Sequence, residues 1–129
     1  MVNTFVFTPS RVLVWLDDKT FVRCLRAASG ERGAAYVHLE AFRDAHSHQV
    51  TYPSGAVGKV GPDQDTYLRV ERVDDRLTFY TGVDGRQWTE IGSVSGLQLP
   101  RKLRAGVGVV NATKVDFAPE FAELATTGP

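Results

Sequence analysis

Side chains alternate between apolar and polar along most of the chain, in short runs closed by turn residues. That period of two constrains the fold more than any other feature. Runs at 11–16, 21–27, 35–42, 66–73, 76–81, 87–91, 104–110 and 114–117 each read as a strand. Asp17-Asp18-Lys19, a loop holding Gly30 and Gly33, Asp74-Asp75 and Asp84-Gly85 supply the turns between them. Residues 44–65, with Pro53, Gly55, Gly58, Gly61 and Pro62, read mostly as loop around a short strand at 49–52. No long segment sustains a 3.6-residue apolar period. The best helical rival covers 119–125, with Pro119 at a suitable first position. Many short strands with frequent turns imply an all-β fold, an antiparallel β-sandwich or barrel, here expected as a sandwich. The 129 residues fit a single domain over 1–129, with 1–10 as a candidate extra strand and 126–129 as a tail.

Charge narrows the partners. Fifteen basic residues balance fifteen acidic ones, so no electrostatic reason exists to expect nucleic acid or an anionic membrane surface. One cysteine, Cys24, excludes an internal disulfide and any multi-cysteine zinc site. No run reaches the 18 apolar residues or so of a membrane-spanning helix, and residues 1–15 carry no signal-peptide pattern. The compartment stays open.

Strand parity separates two sets of residues. Val12, Val14, Leu16, Val37, Leu39, Leu68, Val70, Leu77, Phe79, Val107 and Val109 form an aliphatic set suited to the space between two sheets. Each buried member contributes about 1.5–3 kcal/mol. The opposite parity carries Leu13, Trp15, Tyr36, His38, Glu40, Phe42, Tyr67, Arg69, Glu71, Thr78, Tyr80, Gly106 and Gly108. A three-residue loop at 83–85 with left-handed Gly85 would pair Leu77 with Ile91 and bring Trp88 to Tyr80. From this set Trp15, Tyr36, His38, Tyr67, Arg69, Glu71, Tyr80 and Trp88 are the candidate ligand-binding residues. Aromatic faces pack on the C–H side of a sugar ring, and arginine and carboxylate groups fork hydrogen bonds to hydroxyls. An oligosaccharide or another polar ligand is the expected partner. The same residue types also favour protein contacts, so an ordinary exterior or a subunit interface stands beside that reading.

The wording of the strands carries a resemblance. Tyr67-Leu-Arg-Val-Glu-Arg72, Leu77-Thr-Phe-Tyr80 and Asp84-Gly85-x-x-Trp88-Thr89 resemble the second half of concanavalin A-like jelly-roll domains. Within that superfamily they are most similar to the regulation-of-enolase-like domains of unknown function. Val12-Leu-Val-Trp-Leu-Asp-Asp18 with Phe21-Val-Arg-Cys-Leu-Arg26 resembles the central strand pair, and Gly106-Val-Gly-Val-Val-Asn111 with Val115-Asp-Phe117 and Phe121 the closing strands. The resemblance covers about residues 11–124 and implies several strands before Val12, where only about ten residues stand. Either residues 2–8 supply one strand, or a partner strand or second copy joins the sheet edge.

Catalytic and metal patterns are weak. Asp44, His46 and His48 offer a carboxylate and two imidazoles, without a well-spaced further ligand. Asp17-Asp18, Asp63 with Asp65, and Asp74-Asp75 sit at turns or in loop, where aspartate bonds local backbone. Jelly-roll glycosidases carry a glutamate-x-aspartate-x-x-glutamate run, but Glu71 here is followed by Arg72, Val73 and Asp74. Cys24, two residues from Val22, reads as a core residue. The expectation is a non-catalytic binding module with no metal and no cofactor. A structural or protein-interaction domain, assembling through a sheet edge or the aromatic face, is the alternative.

Overall fold

The protein is described by a computed structural model at residues 2–7, 11–29, 34–51, 59–60, 66–107 and 125–127. Eleven strands form among these: β1 (Val2–Phe7), β2 (Arg11–Asp17), β3 (Thr20–Ser29), β4 (Ala34–Arg43), β5 (His46–Thr51), β6 (Lys59–Val60), β7 (Tyr67–Val73), β8 (Arg76–Gly82), β9 (Thr89–Val94), β10 (Arg104–Val107) and β11 (Ala125–Thr127). They make two antiparallel sheets. The five-stranded sheet runs β11-β1-β7-β8-β9, and the six-stranded sheet runs β10-β2-β3-β4-β5, with β6 also on β4. The molecule is a β-sandwich.

Alternation builds the space between the sheets. In the six-stranded sheet Val14, Val22 and Ala41 stand in register across β2, β3 and β4. Cys24 pairs with Leu39 in the adjoining row. Leu68, Val70, Leu77 and Phe79 answer from the five-stranded sheet, and all these side chains are buried in one cluster. Gly92 on β9 lies so close to β4 that an added Cβ would stand 3.3 Å from Leu39 Cδ2. Of the aliphatic set read from parity, Val14, Val37, Leu39, Leu68, Val70, Leu77 and Phe79 are buried, and Leu16 packs against them. The side chains of Val12, Val107 and Val109 lie outside the described ones.

Residues 95–103 cross from β9 to β10 and add Leu97 and Leu99 to the core. Arg72 holds this crossing. Its Nη1 donates to the Pro100 and Arg101 carbonyls (2.6 and 3.3 Å) and its Nη2 to that of Leu99 (3.4 Å). Its Nε donates to the Asp74 carbonyl at the next turn (2.8 Å).

Three local readings change. The stretch after Asp44 is a hairpin rather than loop, because Asp44 and Ala45 both take positive φ (51° and 67°) and return the chain directly into β5. Asp84 Oδ1 accepts from the Arg86 and Gln87 amides (2.8 and 3.0 Å), which prolongs that loop beyond three residues. β9 therefore starts at Thr89, and Leu77 pairs with Val94 rather than Ile91, with a register shift between Phe79 and Tyr80. The expected strand before Val12 is β1, held between β11 and β7. Residues 125–127, read in part as tail, form β11 on β1. The expected strand at 114–117, and residues 119–124 of the rival helix, lie outside the described residues.

Candidate functional site

Because the two sheets pack through their inner faces, outward residues fall on two opposite surfaces. The eight candidates divide between them. Tyr67, Arg69, Glu71 and Tyr80 face outward from the five-stranded sheet, and Trp88 joins them. Trp15, Tyr36 and His38 belong to the six-stranded sheet, and His38, expected to meet a ligand, is buried. The expected single surface is thus corrected to two, since parity fixes which side of a strand a residue takes but not which sheet holds the strand.

On the five-stranded sheet the cluster is built around Arg69. This residue stands in register with Tyr80, and Glu71 with Thr78. The Arg69 guanidinium carbon lies 5.1 Å from the Tyr80 ring centre and 5.8 Å from that of Trp88. Arg69 Nη2 donates to Glu71 Oε2 at 2.8 Å. The guanidinium thus joins both rings by cation–π contact and is tethered by a carboxylate. Tyr67, Arg69, Glu71, Tyr80 and Trp88 are all partly exposed. Tyr67 packs on Gly85, the left-handed residue of the loop (φ 73°). Partial burial, then the charges of Glu71 and Glu90, push the Tyr80 phenol above its usual range, against the opposing pull of Arg69 and Arg76. Tyr80 therefore presents a protonated hydroxyl at neutral pH.

The outer face of the six-stranded sheet has a different construction. Trp15, Phe21 and Phe42 stand in one cross-strand row, and Leu13, Arg23, Glu40 and Val50 in the next. The Phe21 and Phe42 rings stack with centres 4.9 Å apart. Arg23 lies over both, 5.9 and 5.4 Å from their centres. Arg23 Nε donates to Glu40 Oε2 (2.6 Å), while His38 Nε2 lies 3.1 Å from Glu40 Oε1. The Tyr36 and His38 rings stack at 5.5 Å. Burial alone would raise the Glu40 carboxyl, but the hydrogen bonds and charges of Arg23 and His38 outweigh it and hold the group below its usual range. Here the two phenylalanine rings stack on each other, with Arg23 over both. Gly106, in register with Leu13, leaves open space beside it. Gly108 lies outside the described residues.

Arg23 was missed as a site residue, although a β3–β4 hairpin centred on its loop would place it opposite Glu40. Glu90, the register partner of Tyr80, was missed because it depends on the longer loop after Asp84.

The remaining groups have structural surroundings. Asp17 Oδ1 accepts from the Lys19 and Thr20 amides, 2.8 Å each, closing its own turn. Burial drives the Cys24 thiol far above its usual range, which removes the thiolate that nucleophilic chemistry requires. His46 and His48 are exposed on β5. Among the described residues no three His, Cys, Asp or Glu side chains are grouped to hold a metal ion.

No protein-family model matches the chain, and no curated protein matches it. Solved structures do. A functionally unknown protein from Saccharomyces cerevisiae is similar with a TM-score of 0.60 and 16% identity, over 99% of this chain and 69% of that one. The xylan β-1,4-xylosidase from Bacillus halodurans C-125 is similar with a TM-score of 0.57 and 13% identity, over 97% of this chain. The matched stretch is 23% of the xylosidase. At these identities the likeness shows the fold, an all-β sandwich.

Proposed function

We propose that this chain is a non-catalytic β-sandwich module, of the concanavalin A-like class, that binds oligosaccharide on the outer face of its five-stranded sheet. The observation that carries the reading is the convergence of Tyr67, Arg69, Glu71, Tyr80 and Trp88 on one partly exposed surface. Arg69 fixes the two rings from within, so binding need not order them afresh, and preorganised contacts lose less entropy on association. The rings supply stacking area, and Glu71 and the Tyr80 hydroxyl supply polar partners for sugar hydroxyls. The xylosidase carries the same fold over part of its length, which makes a xylan fragment a reasonable first ligand. The non-catalytic reading is supported by the state of Glu40 and Glu71. Glu40 engages both oxygens with Arg23 and His38 and is held ionised, and Glu71 is engaged by Arg69.

Calorimetric titration with xylohexaose tests the reading. Binding is expected in the intact chain, weakened roughly two- to tenfold on Trp88→Ala, the range for one aromatic contact. Absence of binding to xylohexaose and to a panel of neutral glycans would refute it, and the face would then be read as a protein contact.

A further inference from the structure

The charges of the five-stranded face are committed unevenly. Its cation nearest the rings, Arg69, donates through Nη2 to Glu71 and lies against Tyr80 and Trp88, while its Nε is buried without a hydrogen-bond partner. Arg76 donates to the Ser93 hydroxyl at 3.2 Å, and that hydroxyl also lies 3.0 Å from Thr78 Oγ1. The acidic side differs. Glu90 stands opposite Tyr80 across the β8–β9 pair and is exposed.

From this arrangement we infer that the face selects neutral saccharides and rejects acidic ones, with Glu90 as the residue that sets the discrimination. The inference rests on the saccharide reading of the same face. A carboxylated or sulfated sugar needs a cation presented to fork to it; Arg69 donates through Nη2 to Glu71 with its Nε buried, and Arg76 donates through Nη2 to Ser93. It would also meet the Glu90 carboxylate beside Tyr80. A neutral sugar instead brings hydroxyl donors, which ionised carboxylates accept. Burial, then the charges of Glu71 and Glu90, raise the Tyr80 phenol against the pull of Arg69 and Arg76.

The test compares xylohexaose with hexagalacturonate by calorimetry at low salt, in the intact chain and in Glu90→Gln. The expected result is galacturonate binding at least about fivefold weaker, the factor for two unit charges about 4 Å apart in water. Glu90→Gln should narrow the ratio of the two affinities, and raised salt should narrow it in the intact chain. Galacturonate binding as tightly as xylohexaose, or a ratio unmoved by Glu90→Gln, would overturn the inference while leaving the saccharide reading intact. Binding of neither sugar would overturn both.

Discussion

Gly85 lies against the ring of Tyr67, so closely that a Cβ at this position would stand 2.9 Å from Tyr67 Cε1. The contact ties the loop after β8 to the first residue of β7, and so ties loop geometry to the proposed binding face. Two independent demands meet at this glycine, a left-handed backbone and the absence of a side chain.

Gly85→Ala should therefore cost more than a loop substitution usually does. The left-handed region alone disfavours alanine by about 1 kcal/mol, and the Tyr67 ring must move as well. A loss of about 1–3 kcal/mol is expected by urea denaturation. Weaker saccharide binding should accompany it, because the displaced ring belongs to the site.

Arg72→Ala removes the donor that holds the Leu99, Pro100 and Arg101 carbonyls. Hydrogen bonds from a charged donor contribute about 1.5–3 kcal/mol, and their loss frees the crossing that carries Leu97 and Leu99 into the core. The urea midpoint should fall, and amide exchange should quicken over 95–103 before it quickens in β7 and β8. Lysine at this position should restore only part of the stability, since it lacks the planar fork that reaches several carbonyls at once.

Acid sensitivity should trace in part to Glu40. Its carboxyl lies below the ordinary 4.5 in the folded chain, with partial burial outweighed by Arg23 and His38. A lowered folded value means that ionised Glu40 stabilises the fold above about pH 4.5, and that this contribution fades as pH falls through the folded value. Asp84, lowered by its bonds to the Gln87 and Arg86 amides, acts in the same direction. Glu40→Gln should be less stable than the intact chain at pH 7 by about 1–2 kcal/mol. Its stability should also vary less between pH 5 and pH 3, as followed by urea midpoints.

These sites show where the sequence was legible. Alternation placed Val14, Leu39, Leu68 and Phe79 inward, because a half-buried strand leaves its period of two in the residues. Asp44-Ala45 did not announce a hairpin, since alanine at φ 67° carries none of the chemistry that marks a tight turn. The division of the candidate residues was also hidden. Trp15 lies on β2 of the six-stranded sheet and Trp88 just before β9 of the five-stranded one, and parity within a strand is silent about which sheet holds it. The Arg69–Tyr80 contact, by contrast, follows from a hairpin closed at Asp74-Asp75, which the sequence marked clearly.

The two tryptophans lie on opposite faces, which permits one direct measurement. Emission is followed during titration with xylohexaose in Trp15→Phe, whose remaining tryptophan is Trp88, and in Trp88→Phe, whose remaining tryptophan is Trp15. A saturable shift in Trp15→Phe and a silent Trp88→Phe are expected if the saccharide sits on the five-stranded face. A shift that follows Trp15, or none in either variant, would contradict that placement.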